Sequence, residues 1–110
     1  MNLFNEGKIS FNKGKIHEAH ITWEKIWKYG DKDTRKIIKG FIQLSGGLLN
    51  NSFGKRRAAI YLLEKARKNI MDADKILISL DLLSISKQIE ELIIIIQDDV
   101  FCGESVNVIL

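Results

Sequence analysis

The chain is 110 residues long, 45% hydrophobic and 28% charged, with a formal net charge of +3, eight Gly, no Pro and one Cys. That composition describes one globular domain without room for a second, and at this length roughly two-thirds of the unfolded surface can be buried without a disulfide or structural metal. Cys102 has no partner for an internal bridge, which excludes zinc-finger and thioredoxin-type chemistry and suits a reducing cytoplasm.

Glu6 and Lys8 interrupt the first ten residues, so no signal peptide is expected. The longest apolar run, Leu92 to Ile96, falls far short of the about 20 residues that span a bilayer. Cytoplasmic location and no membrane partner are the expectations. The charge is uneven: residues 1–75 carry 16 Lys/Arg against 8 Asp/Glu, whereas residues 76–110 carry 1 against 6. A basic body with an acidic last third can bind an anion, or can attract its own tail or that of a neighbouring subunit.

Apolar residues recur at spacings of three and four, which predicts an all-α fold of five helices. The first spans about Asn2 to Asn12 and the second Lys15 to Tyr29, with Gly14 between them. Gly30-Asp31-Lys32-Asp33 separates the second from the third, Thr34 to Asn51, for which Asp33 is the expected N-cap. Asn50-Asn51-Ser52-Phe53-Gly54 leads into the fourth, Lys55 to Met71. Asp74 to Leu83 reads as loop, and the fifth helix runs Ser84 to Gln97 with Ser84 or Ser86 as its cap. Residues 1–98 form the expected bundle, and residues 99–110 a tail that is either docked or disordered.

The chain resembles itself at two offsets. Phe4-Asn5-Glu6-Gly7-Lys8-Ile9 returns seven residues later as Phe11-Asn12-Lys13-Gly14-Lys15-Ile16. At an offset of 40, Gly14-Lys15, Ala19, Glu24-Lys25 and Lys28 align with Gly54-Lys55, Ala59, Glu64-Lys65 and Lys68. Two tetratricopeptide-like helical hairpins around a central helix, closed by the fifth helix as a lid, are the expected architecture.

On the second helix, Trp23 and Trp27 fall within about 20° of Ile16 and predict one buried stripe. His20 lies inside this arc, and Glu24 and His17 line its edge within reach of one another. His17, His20 and Glu24 are therefore a candidate metal site or acid–base pair beside two indoles. The alternative is a core-edge His20 hydrogen-bonded to Glu24, with no cofactor. Gln43 on the third helix, amid apolar neighbours, is the expected long-range partner of His20 or Glu24. Gly40, Gly46 and Gly47 on the same helix predict close helix approach, or a ligand lying over bare backbone.

Phe11-Asn12-Lys13-Gly14-Lys15-Ile16-His17-Glu18-Ala19-His20, followed by Trp23-Glu24 and Trp27, resembles the opening of the family known as domain of unknown function 309. Gly40-Phe41-Ile42-Gln43-Leu44 resembles that family's second segment, and Ala59 with Leu62-Leu63-Glu64-Lys65-Ala66 its third, over about Phe4 to Ile70. Ile21 stands where the family usually has Glu, and Ala58 where it has Gly. The resemblance implies a small all-helical bundle with no established activity.

Lys55, Arg56 and Arg57, with Lys65, Arg67 and Lys68 on the same helix, make the densest basic cluster. It reads as a phosphate or nucleic-acid contact, or as a solvated face; no exposed aromatic is expected to interleave it. The fifth helix has more apolar residues than one buried stripe needs: Ile94 and Ile95 fall outside the line of Ile85, Ile89, Leu92, Ile93 and Ile96. The expected function is a non-enzymatic helical interaction module that forms a homo-oligomer, most simply a homodimer, or docks another protein or an anionic ligand. The rivals are a small metal-dependent or acid–base enzyme, and nucleic-acid binding by the fourth helix.

Overall fold

Among the residues that the computed structural model describes, 3–72, 81–97 and 108–110, there are five helices and no strand. They are α1 (Leu3–Asn12), α2 (Ile16–Tyr29), α3 (Lys32–Ser52), α4 (Arg56–Asp72) and α5 (Leu82–Gln97). The turns after α1 and α3 are the same structure. After α1 the Gly14 N–H donates to Phe11 O at 3.0 Å and the Lys15 N–H to Ser10 O at 2.9 Å. After α3 the Gly54 N–H donates to Asn51 O at 3.0 Å and the Lys55 N–H to Asn50 O at 2.9 Å. This double closure needs a left-handed residue just past the helix, and Gly14 and Gly54 supply it with φ of 84° and 76°. The sequence repeat at an offset of 40 is thus a repeated hairpin closure, and Ala19 and Ala59, five residues past each glycine, are both fully buried.

Two helix starts differ from expectation. Asp31, not Asp33, caps α3, its Oδ1 accepting the Thr34 N–H at 2.8 Å. The earlier start brings Arg35 back over the end of α2, where Nε donates to Trp27 O at 2.8 Å and a terminal nitrogen to Lys28 O at 3.4 Å. One guanidinium thereby satisfies carbonyls that α2 leaves open. The Thr34 hydrogen bonds, backbone first, hold the Asp31 carboxyl below the ordinary aspartate range. The stabilisation they lend is complete at neutral pH and is lost as pH falls through that lowered value. At α5 the cap is Asp81, whose Oδ1 accepts the Ser84 N–H at 3.0 Å, rather than Ser84 or Ser86. Leu82 and Leu83, expected in a loop, therefore form the first turn; residues 74–80 of that expected loop lie outside the described residues.

Each helix packs chiefly on its neighbours in the chain, most extensively α3 on α4. Gly40 and Gly47 on α3, seven residues apart, meet Ala66 and Ala59 on α4, also seven apart, in antiparallel register. A Cβ on Gly40 would stand 2.7 Å from Ile70 Cγ1 and 2.9 Å from the Ile70 backbone nitrogen; one on Gly47 would stand 2.8 Å from Leu63 Cγ. The two backbones are in contact along a seam of small residues, as the glycines predict. Gly46 is outside it, with Leu62 Cδ1 at 3.6 Å and His20 Cε1 at 3.7 Å from the position of a Cβ.

Trp23 is fully buried at the centre of the aromatic core. Phe4, Phe11 and Phe41 surround it with ring centroids at 6.0, 5.6 and 5.6 Å, and its Nε1 donates to Phe4 O at 3.3 Å. Phe4 and Phe11, the repeated Phe at an offset of seven, lie on one face of α1 and grip the same indole from either end. Gly7 lies between them, and a Cβ there would collide with the ring. The stripe Ile85, Ile89, Leu92, Ile93 and Ile96 of α5 is buried as its spacing predicts.

Residues 108–110 lie across α1 and α5 without regular secondary structure. Val108 is buried and Leu110 packs against the core.

Candidate functional site

Ala19 of α2 is fully buried, and the next residue, His20, holds its imidazole over Gly46 of α3. Its Nδ1 lies 2.6 Å from Ser45 Oγ, and its Nε2 lies 3.3 Å from Glu24 Oε1 one turn on. Ser45 is fully buried, and its hydroxyl also donates to Ile42 O at 2.9 Å. The bookkeeping closes in either charge state of the ring. In a neutral ring protonated at Nε2, Nδ1 accepts the Ser45 hydroxyl and Nε2–H faces Glu24 Oε1 at 3.3 Å. In an imidazolium, Nδ1–H donates to Ser45, whose own proton turns to Ile42 O. Both imidazole nitrogens thus face a polar group of the chain, and no buried side-chain polar atom among the described residues lacks a partner.

The other candidates are dispersed. His17 is exposed on α2, and among the described residues no group of three His, Cys, Asp or Glu side chains is arranged to hold a metal ion. Gln43 does not reach His20 or Glu24; its Oε1 accepts from Asn69 Nδ2 of α4 at 2.6 Å. The register explains this, because Asn69 adjoins Ile70, which packs on Gly40 one turn before Gln43. Ser45 holds the role expected of Gln43. A lone hydroxyl among Leu44, Gly46 and Gly47 was the only hint of it in the sequence.

Trp27 is 39% exposed rather than buried. It does lie on the same face as Trp23, but Phe4, at the start of α1, already stacks on Trp23, so one turn further on α1 has run out. The Arg35 guanidinium lies over it, 5.5 Å from the ring centroid. The indole beside the proposed chemistry is therefore a hairpin-end contact, 8 residues from its partner.

Lys55, Arg56 and Arg57 are all exposed, as are Lys65, Arg67 and Lys68. Here the structure corrects the expectation about aromatics: Tyr61 is 62% exposed, one turn from Arg57, with Lys65 Nζ 5.6 Å from its ring centroid. Tyr61, Lys65, Lys68 and Met71 line an open groove of about 580 Å³ on the outer face of α4, with Glu64 and Asp72 among them.

Phe11 in the core, Gly14 in the left-handed turn, Ala19 in the close approach and His20 against Ser45 give the opening motif a structural role at each of these positions. Residues 4–62 match the family described as Domain of unknown function (DUF309). The chain belongs to that family. The match covers α1 to α3 and the first half of α4, ending before the Ile70 that the sequence resemblance reached; α5 and residues 108–110 lie outside it. No curated protein and no solved structure matches the chain. No described helix is long and apolar enough to cross a membrane.

The site carries its own prediction. His20→Ala is expected to lower stability by about 1–3 kcal/mol, because Ser45 loses a buried partner. Glu24, more than half exposed, is worth less: Glu24→Ala should cost under about 1 kcal/mol, as exposed ion pairs do. Urea denaturation of the two variants checks the order, and equal losses would contradict it.

Proposed function

We propose that this DUF309 protein is a non-enzymatic helical interaction module of the cytoplasm, built of two tetratricopeptide-like hairpins, that associates with itself through α5. The observation that carries this reading is on α5. Leu83 and Ile94 stay 59% and 52% exposed even though residues 108–110 are docked. Eleven residues are three turns of helix, so the two lie within about 20° of one another on a single outer face. Two large aliphatic side chains about 16 Å apart on one face, with the exposed Lys87 and Glu90 between them, give a mixed apolar and charged surface that a second copy can match with its own. A two-fold dimer is the simplest closed arrangement for it. Ser45, which meets the His20 imidazole, is fully buried, and this favours a structural over a nucleophilic role for the pair.

Ile94→Glu is expected to convert a dimer to a monomer with helix content unchanged, read by sedimentation and circular dichroism. A variant with the mass of the unaltered protein would overturn the assignment to α5.

Tyr61 favours a second reading, in which α4 contacts a phosphate-bearing ligand or nucleic acid. An exposed aromatic between Arg57 and Lys65 offers a stacking surface beside cations. If that reading holds, sub-micromolar binding of single-stranded nucleic acid at physiological salt is lost on combining Tyr61→Ala with Ala at Lys55, Arg56 and Arg57. Weak, salt-sensitive binding that the four substitutions leave unchanged would dismiss it.

A further inference from the structure

Four exposed residues on the outer side of α5 form a symmetric line. At 100° per residue, Leu83, Lys87, Glu90 and Ile94 fall within a stripe about 60° wide. Their steps of four, three and four residues are those of a coiled-coil seam. From either end the line reads aliphatic, charged, charged, aliphatic, and the two charges are opposite in sign. Among the described residues neither Lys87 nor Glu90 makes an ion pair. Glu91, also exposed, lies about 40° to the Lys87 side of the stripe.

Another flank of α5 is closed by the chain itself. Gln88, about 130° round the helix from the stripe, donates from Nε2 to the Ile109 carbonyl at 3.0 Å and accepts the Ile109 N–H at Oε1 at 2.8 Å. Asn12 of α1 clamps the main chain of Leu110 in the same way, at 3.2 and 2.9 Å. These two amide clamps leave the Leu83/Ile94 line uncovered.

We infer that two copies pair α5 against α5 in antiparallel, with Leu83 of each copy on Ile94 of the other and Lys87 of each on Glu90 of the other. The inference gives the register of the self-association proposed above and rests on it. A two-fold axis midway between Leu83 and Ile94 is also midway between Lys87 and Glu90, so it turns the line onto itself. Residue 83 then faces 94, and residue 87 faces 90. Each copy supplies the opposite charge to the other twice over, and the aliphatic pairs close the two ends. A parallel pair would instead set Lys87 on Lys87 and Glu90 on Glu90, and opposed like charges at an interface are strongly unfavourable. The charge pattern therefore selects one orientation from a surface whose apolar residues alone would accept either.

Charge reversal in the full-length chain, read by sedimentation equilibrium, tests this. Lys87→Glu and Glu90→Lys should each weaken the dimer by roughly tenfold or more, since both symmetric pairs turn from attraction to repulsion. An equimolar mixture of the two variants should form a heterodimer about as strong as the unaltered dimer, and both substitutions in one chain should restore the homodimer. Circular dichroism should be unchanged throughout, because both positions are exposed. Single variants that dimerise like the unaltered protein, or a mixture no stronger than its components, would overturn the register. So would a mixture of Lys87→Glu with the unaltered chain that dimerises more tightly than either alone, which is the mark of parallel helices. In each of these cases Ile94→Glu separates the two levels: a monomer leaves α5 as the association surface in another arrangement, whereas a dimer removes α5 from it. A monomeric unaltered chain would remove the register and the underlying reading together.

Discussion

Trp23→Ala should cost about 3–5 kcal/mol of folding free energy, while Trp27→Ala, four residues along the same helix, should cost about 1–2 kcal/mol. Trp23 is fully buried, touches three Phe rings and donates to Phe4 O. Removing it leaves a cavity that Gly7, with no side chain, cannot begin to fill, and large aromatic truncations in cores cost this much. A domain of this size has about 5–15 kcal/mol in total, so the variant sits near the edge of folding. Trp27 loses a cation–π contact with Arg35 and the burial of a ring that is 39% exposed. Equilibrium urea denaturation separates the two, and near-equal losses would refute this picture of the core.

Gly40 and Gly46 of α3 should respond to alanine with opposite signs. Helix propensity alone favours each Gly→Ala change by about 1 kcal/mol. At Gly40 the new Cβ would meet the Ile70 backbone nitrogen at 2.9 Å and the Ala66 carbonyl oxygen at 3.3 Å. Neither can yield without moving α4 bodily, and overpacking of that kind costs about 1–3 kcal/mol. Gly40→Ala is therefore expected to be destabilising in sum. Gly46→Ala meets only side-chain atoms at ordinary contact distance, so it should be neutral or stabilising by up to about 1 kcal/mol. Thermal melts of both variants decide it. A stabilised Gly40→Ala would mean that the helices do not touch along this seam.

These contrasts show what was legible in the chain. Periodicity located all five helices because each buries a stripe that its own residues mark, and the repeated Gly and Ala at an offset of 40 announced the matching turns at Gly14 and Gly54. What was lost depended on neighbours. The face of Trp27 could be read from its angle, but its exposure depends on where α1 ends. Asp31 and Asp33 are equally good caps locally, and Arg35 reaching Trp27 O and Lys28 O decides between them. Tyr61 belongs to an apolar-looking run, Ile60 to Leu63, and its exposure follows from Ala59, Leu63 and Ala66 being the residues that face α3. At the candidate site, His20 and Glu24 were legible because they are one turn apart. Ser45 was not, because pairing across 25 residues depends on the register of α2 against α3. The amide clamps on residues 109 and 110 had no local signature, since Asn12 and Gln88 look like ordinary surface polar residues on separate helices.

The central claim, that this is a self-associating binding module, is tested most directly by sedimentation equilibrium of the unaltered chain at tens of micromolar. The account predicts a species of twice the 12.6 kDa chain mass. A single species of 12.6 kDa across that range would contradict it.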